Sequence, residues 1–338
     1  MNVLVTGAGG FLGGHLVDQL LEKNVEVRVL SRRDLPDLRA KGVEVAHADL
    51  TDFYNVMAAC RGIDVVYHVA AKPGVWGDWE SFHQPNTIGT RHVIDACKRV
   101  GVKRLVYTSS PSVVFDGHSH LEADESLKYP ESYLCHYPHT KALAEHEVLT
   151  ANSEKLKTCS LRPHLIWGPR DNHLIPRLLK RYDLNRLRRV GDGKNVISMS
   201  YVENAAAAHI QAEEELRTSG KNAGKAYFIN DPDPVNLWSW VDQLLEATGR
   251  PKLNKKLSFK AAHMAGQVCE TLYKMLGKQD EPPMTRFVAQ QLSLSHTYSI
   301  QRAIDDFGYR PIVGPQEAYN RLLEWLYNEG YMKENAKP

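Results

Sequence analysis

Residues 5–16 read VTGAGGFLGGHL. The first half of the fold follows from how this stretch is read. An apolar, β-branched run, NVLVTG (2–7), leads into it, and a helical pattern, FLGGHLVDQLLEK (11–23), leads out. Glycines at 7, 10 and 13 therefore fall on a strand-to-helix turn. At such a turn, Gly7 permits the tight bend, Gly10 lets backbone approach a pyrophosphate, and Gly13 lets helix and strand pack closely. The helix N-terminus presents free N–H groups and the positive end of its dipole. The turn predicts dinucleotide binding, with Gly7, Gly10, Phe11, Leu12 and Gly13 as its cofactor-binding residues.

Strands and helices alternate outward from the turn. Strand patterns cover 25–31, 43–50, 64–71 and 104–110, and helical patterns cover 52–61, 86–101 and 137–150. A sixth strand runs through TCSLRPHLIWGP (158–169). Such alternation implies βαβ units and a parallel sheet, and near-continuous apolar runs suit strands buried on both faces. The fold class is α/β, a doubly wound Rossmann sheet with a smaller, mostly helical substrate domain. The expected boundaries are 1–170 and 171–338, with segments near 197–231 crossing back to the first domain.

The 338 residues carry a net charge of +2, which does not point to nucleic acid, and no nucleic-acid partner is expected. Five scattered cysteines without a C-x-x-C argue for reduced thiols and a cytoplasmic location. No secretory signal and no membrane span are read. The amphipathic stretch 258–277 is expected to be a core or lid helix, with peripheral membrane contact as its alternative. The spacings His118-x-His120 and His136-x-x-His139 lack a cysteine or carboxylate to complete a ligand set, so no metal is expected.

The second strand ends VRVLSRRD, with Ser31 where an acid would hold a ribose 2′-OH. Arg32 beside it suits a 2′-phosphate, so NADP(H) is favoured over NAD(H). Asp34, close by, is the alternative acid. Asp49 and Leu50 end the third strand and flank the adenine. Ala70 and Ala71, with Lys72 after them, line the cleft at the carboxyl end of the fourth strand. In HYPHTKALAEH (136–146), Tyr137 and Lys141 stand one helical turn apart on one face. A lysine there favours the phenolate of a tyrosine, enabling proton exchange with a hydroxyl or ketone. Alone, so short a pattern fits ordinary packing and a solvated lysine better, and the rest of the chain has to decide.

Taken together, the glycine turn, HVAA (68–71), NTIGT (86–90), YTSS (107–110), Tyr137-x-x-x-Lys141 and RPHLIWGP (162–169) resemble the extended short-chain dehydrogenase/reductase family. The resemblance implies that Tyr137 is the acid/base, that Lys141 lowers its pKa and holds the nicotinamide ribose, and that Ser110 hydrogen-bonds the substrate oxygen. It places Pro163 against the nicotinamide carboxamide. Within the family, YTSSPSVVFDG (107–117) and LRPHLIWGPRD (161–171) are most similar to the 3β-hydroxysteroid dehydrogenase branch. AAKPGVWGDWESFHQPNTIGT (70–90) and PPMTRFVAQQL (282–292) look closest to its bacterial 2-alkyl-3-oxoalkanoate reductases of long-chain olefin biosynthesis.

The expected substrate is a bulky hydrophobic β-keto or β-hydroxy acid, or a steroid. Trp76, Trp79, Phe82 and Trp167 are expected in an apolar wall, Arg170 against the carboxylate, and His164 in contact with substrate. A homodimer is the habit of the family. Rival readings are a sterol-4-carboxylate or 3β-hydroxysteroid dehydrogenase, a nucleotide-sugar epimerase or dehydratase, and a non-catalytic NADP(H) sensor.

Overall fold

The computed structural model describes residues 1–334 and 336. Its framework is a seven-stranded parallel sheet: β1 (Asn2–Thr6), β2 (Glu26–Ser31), β3 (Glu44–His47), β4 (Val65–His68), β5 (Arg104–Thr108), β6 (Lys157–Pro163) and β7 (Lys225–Ile229). The spatial order is β7-β6-β5-β4-β1-β2-β3. The order reverses at β1, between β2 and β4, and a doubly wound sheet opens a ligand crevice at such a switch point.

Side-chain alternation builds a core on each face of the sheet. Val3 and Val5 of β1 join one buried layer with Leu16 and Leu20 of helix α1 (Phe11–Glu22). Leu4, between them, joins the other with Val93 and Cys97 of helix α2 (Gly89–Val100) and Val148 of helix α3 (His136–Thr150). The period of two that buries both faces accounts for the unbroken apolar runs. Helix α2 stops at Gly101, which takes the left-handed conformation that ends many helices.

The second half of the chain returns to the first. Helix α4 (Val202–Arg217) packs on α1 and under β5 and β6. β7 then adds to the sheet edge, with Tyr227 beside Leu161 and Ile229 beside Pro163. A smaller four-stranded sheet joins Val235–Asn236, Val196–Ile197, His296–Tyr298 and His120–Ala123. Helix α5 (Phe259–Met275) packs against Arg286–Gln291. The two meet closely at Gly266, where a Cβ would come within 2.6 Å of the Arg286 backbone nitrogen. Glu270 accepts hydrogen bonds from the Arg286 backbone N–H and from its Nε.

Most elements match the sequence reading in kind. The short helices Pro36–Ala40 and Trp79–His83 escape it, since five residues hold too little periodicity to detect. Residues 84–88 form a π-helical turn instead of the start of an α-helix.

Candidate active site

The turn after β1 is built as a cradle. Gly7 has φ +77°, and a Cβ on it would lie 2.7 Å from the Ala70 nitrogen. The Gly10 N–H donates to the Gly7 carbonyl at 2.9 Å. A Cβ on Gly13 would collide with that same carbonyl, so α1 sits directly on the turn. No side chain caps the N-terminus of α1, and its first turn holds no acid. Its N–H groups around Phe11 and Leu12 are thus available to an anion, as a dinucleotide pyrophosphate requires.

Beneath the cradle, Thr6 Oγ1 bonds His68 Nδ1 at 2.7 Å, and His68 Nε2 bonds Thr90 Oγ1 at 2.9 Å. The Ala70 N–H donates to Thr6 Oγ1, which fixes the Ala70–Ala71 segment at the crevice. Burial holds His68 neutral, its pKa brought down to about 3, with the Lys141 charge adding to the effect.

At the outer end, Arg32 is 77% exposed and pairs loosely with Asp49 at 3.6 Å, its guanidinium lying mostly in solvent. Asp49 accepts from both the backbone and the hydroxyl of Thr51. Leu50 is buried beneath Gly89. Asp34, the alternative acid, is held by Arg39 at 2.8 Å.

Tyr137 opens α3, partly exposed, beside Ser110. Burial of the phenol pushes its pKa up to about 12, and the nearby Ser110 hydroxyl opposes the rise. Ser110 Oγ lies 2.9 Å from Ser112 Oγ and accepts from the Ser112 N–H. The neighbouring hydroxyls turn elsewhere: Thr108 bonds His209 Nε2 at 2.7 Å, and Ser109 is buried. Lys141 is fully buried, 4.1 Å above the Tyr107 ring, and burial brings its pKa down to about 7. Its ammonium donates to the Thr108 carbonyl at 2.6 Å. The expected lowering of the Tyr137 pKa by Lys141 is not seen: burial raises it, and Ser110, not the lysine, opposes the rise.

Several supporting contacts are not visible in the sequence. Buried Asn86, in the π-helical turn, accepts from the Lys72 N–H and donates to the Lys72 carbonyl and to Thr140 Oγ1. It ties the loop after β4 to α3, and π-turns often mark functional sites. Pro85 is the one sequence signal of a broken helix there. One turn beyond Lys141, buried Glu145 accepts from Tyr129, Ser160 and Arg162. The spacing of Lys141 and Glu145 could have been read as a pair, but the buried Arg162 is distant in sequence.

The proposed substrate contacts separate. Arg170 has φ +68° and is held at α1 by Asp18 at 2.9 Å and by His15 at 3.2 Å, so it is already paired and does not stand free for a substrate carboxylate. Trp167 is core, packed edge-on against Tyr201 and Trp240. Phe82 is buried beneath Lys72, and Trp79 stacks on His83 and meets His136 and His139. Trp76 donates to the Lys278 carbonyl and packs on Tyr273 of α5. His164 follows Pro163 at the end of β6, bonds the Ser198 carbonyl through Nδ1, and meets His296 and Tyr298 edge-on. Among the described residues no group of three or more His, Cys, Asp or Glu is placed to hold a metal.

The model of the 3-beta hydroxysteroid dehydrogenase/isomerase family matches residues 4–260. The chain is 46% identical over 325 residues to the 2-alkyl-3-oxoalkanoate reductase of Stenotrophomonas maltophilia, covering 95% of this chain and 98% of that one. It is 43% identical over 329 residues to the 2-alkyl-3-oxoalkanoate reductase of Shewanella oneidensis, covering 95% of this chain and 85% of the relative. Among solved structures, MoeE5 in complex with UDP-glucose and NAD superimposes with a TM-score of 0.73 at 25% identity, over 97% of this chain and 99% of that one. A Rossmann sheet with a glycine cradle at its switch point, matched by a family model over three-quarters of its length, is an oxidoreductase framework, and the chain belongs to the 3-beta hydroxysteroid dehydrogenase/isomerase family.

Proposed function

We propose that this protein reduces the 3-ketone of a bulky 2-alkyl-3-oxoalkanoate to the 3-hydroxy acid, with NADP(H) as its cofactor. The observation that carries the substrate is the likeness to two such reductases across 95% of the chain. The glycine cradle with its uncapped helix fits a dinucleotide, and exposed Arg32 supports a 2′-phosphate. NADPH supplies the hydride when bound.

The rest is done by this chain. Gly7, Gly10 and Gly13 let the backbone of the α1 N-terminus receive the pyrophosphate. Ser110 donates its hydroxyl hydrogen to the ketone oxygen and so orients the carbonyl toward Tyr137. Tyr137 gives its phenolic proton to that oxygen as the C–O double bond becomes single, completing the alcohol. With a pKa of about 12, the phenol is protonated at neutral pH and ready to donate. Lys141, held by the Thr108 carbonyl one helical turn from Tyr137, holds the nicotinamide ribose hydroxyls. The free thiols of all five cysteines suit a reducing, cytoplasmic setting.

The second reading runs the same residues in reverse, oxidising a 3β-hydroxysteroid, and is supported by the family as a whole. Following NADPH absorbance with a long-chain 2-alkyl-3-oxoalkanoate, and NAD(P)+ reduction with a 3β-hydroxysteroid, separates the two. NADPH consumption confined to the keto acid supports the reductase. Turnover confined to the steroid overturns the substrate and the direction.

A further inference from the structure

With Arg170 taken by Asp18 and His15, a substrate carboxylate needs another counter-ion. Arg162 is paired with Glu145, and Lys141 is sealed against the Thr108 carbonyl. A carboxylate drawn out of water beside apolar side chains is costly unless a cation or hydrogen-bond donors meet it. Lys72 offers both. It leaves β4 two residues after Ala70, which packs on the Gly7 turn. Its side chain is exposed, with Nζ 4.7 Å from the centroid of the buried Phe82 ring. Among the described residues no carboxylate lies within 4.0 Å of that ammonium, and its N–H groups meet no protein acceptor. Asp78 caps the helix Trp79–His83 through the Ser81 N–H, and the Lys72 charge reaches it only from beyond ion-pair distance. The ring face attracts the ammonium and orients it without consuming its three donors.

The backbone of the same residue is clamped. Asn86 accepts from the Lys72 N–H at 2.7 Å and donates to the Lys72 carbonyl at 3.1 Å. It also donates to Thr140 Oγ1 at 3.1 Å, and the Thr140 hydroxyl donates to the Tyr137 carbonyl at 3.0 Å. Asn86 and Thr140 are both buried. An unbroken chain of hydrogen bonds therefore refers the backbone of Lys72 to that of Tyr137. A second tie runs through the ring under the ammonium. Phe82 faces the His136 ring at 6.5 Å, and His136 immediately precedes Tyr137 on α3. Gly74 and Gly77, at φ +138° and +136°, bend the loop around the same ring, where a Cβ would come within 3.4 and 3.1 Å of it. The loop, the ring and the clamp hold one free positive charge in fixed relation to the proton donor.

We propose that Lys72 is the counter-ion of the substrate carboxylate, and that it selects a 3-oxo acid over a neutral ketone or an uncharged steroid. The inference rests on the proposed reduction of a 3-oxo acid. In such an acid a single carbon separates the carboxylate from the ketone, so its counter-ion has to stand beside the group that protonates the ketone. A charge-assisted hydrogen bond from Lys72 to the carboxylate anchors one end of that short unit. The ketone at the other end is then presented to Ser110 and Tyr137. Asn86 and Thr140 act as positioning residues that set the spacing between the charge and the proton donor.

The test offers the full chain, with NADPH, a long-chain 2-alkyl-3-oxoalkanoate and its methyl ester, which keeps the bulk and removes the charge. By kcat/KM the wild type should favour the acid about tenfold to a hundredfold, the range for a hydrogen bond to a charged group. Lys72→Met should erase most of that preference through a higher KM for the acid, and Lys72→Arg should keep it. The side chain is exposed, so Lys72→Met should melt near the wild-type temperature and bind NADPH within a few-fold of wild type. A preference that survives Lys72→Met overturns the inference and leaves the reductase reading standing. So does a wild type that takes acid and ester alike. NADPH binding weakened in Lys72→Met as much as turnover assigns the lysine to the cofactor and overturns the inference too. If the wild type reduces neither substrate, the reductase reading fails and the inference falls with it.

Discussion

Lys141 donates its ammonium to the carbonyl oxygen of Thr108 at 2.6 Å, in a position closed to solvent. That bond spans from α3 to the last residue of β5, and it fixes the lysine against the end of that strand. Burial leaves Lys141 close to its titration point at neutral pH, with a pKa of about 7, while Glu145 one turn on favours its charge. The charge state of the site is therefore set by a network that reaches Arg162 on β6.

Replacing the two residues should separate proton donation from positioning. Tyr137→Phe should lower turnover by about 10²–10⁴-fold, the range for loss of a positioned acid, with NADPH affinity kept within a few-fold. Lys141→Met should lower turnover and also weaken the cofactor. Steady-state kinetics with a binding titration measures both, and a fully active Tyr137→Phe variant contradicts the mechanism.

Arg32 should discriminate between cofactors. Arg32→Ala removes a charge-assisted contact worth about 1.5–3 kcal/mol, so KM for NADPH should rise about tenfold to a hundredfold with little change for NADH. Equal effects on both cofactors would show that Arg32 does not meet a 2′-phosphate.

Gly13→Ala should act on the cradle and not on the chemistry. The added methyl group collides with the Gly7 carbonyl, which is backbone and cannot rotate away. The cost should be about 1–3 kcal/mol of stability, read by denaturant titration, with dinucleotide affinity falling alongside. Gly314→Ala, at φ −72° and with nothing within 4 Å of the added atom, controls for simple replacement of a surface glycine.

Acid should destabilise the protein before its carboxylates titrate. His68, His209 and His296 are buried, with pKa values brought by burial to about 3, 4 and 3, against about 6.5 in the unfolded chain. The unfolded state then binds protons below pH 6.5 that the folded state refuses. Stability is fully present above pH 6.5 and is lost as pH falls toward 4, by about 1.4 kcal/mol per pH unit for each histidine. Urea titrations between pH 7 and 5 measure the slope. His296→Gln should flatten it, and a profile already flat in the wild type contradicts the argument.

The cofactor half was readable because its information is local. A strand, three spaced glycines and a helix are adjacent in VTGAGGFLGG, and Tyr137 and Lys141 share one turn. Contacts made by the fold were not readable. Arg170 is next to Pro169 in sequence, yet its partner Asp18 lies on α1, so only the folded chain shows the guanidinium taken. Trp167 reads like a pocket aromatic until Tyr201 and Trp240 close around it. Asn86 opens NTIGT, but its structural role depends on Lys72 and Thr140 arriving from two other segments.

β7 closes the main sheet with residues 225–229, whereas β6 ends at residue 163. During synthesis the edge of β6 stays unpaired until its neighbour has left the ribosome, several seconds later at about 5–20 residues per second. An open, apolar strand edge invites pairing with other chains for that whole interval. Yield in a cell should therefore respond to translation speed and to chaperone supply between these two points, and slow codons placed after residue 230 should matter less than slow codons placed before it.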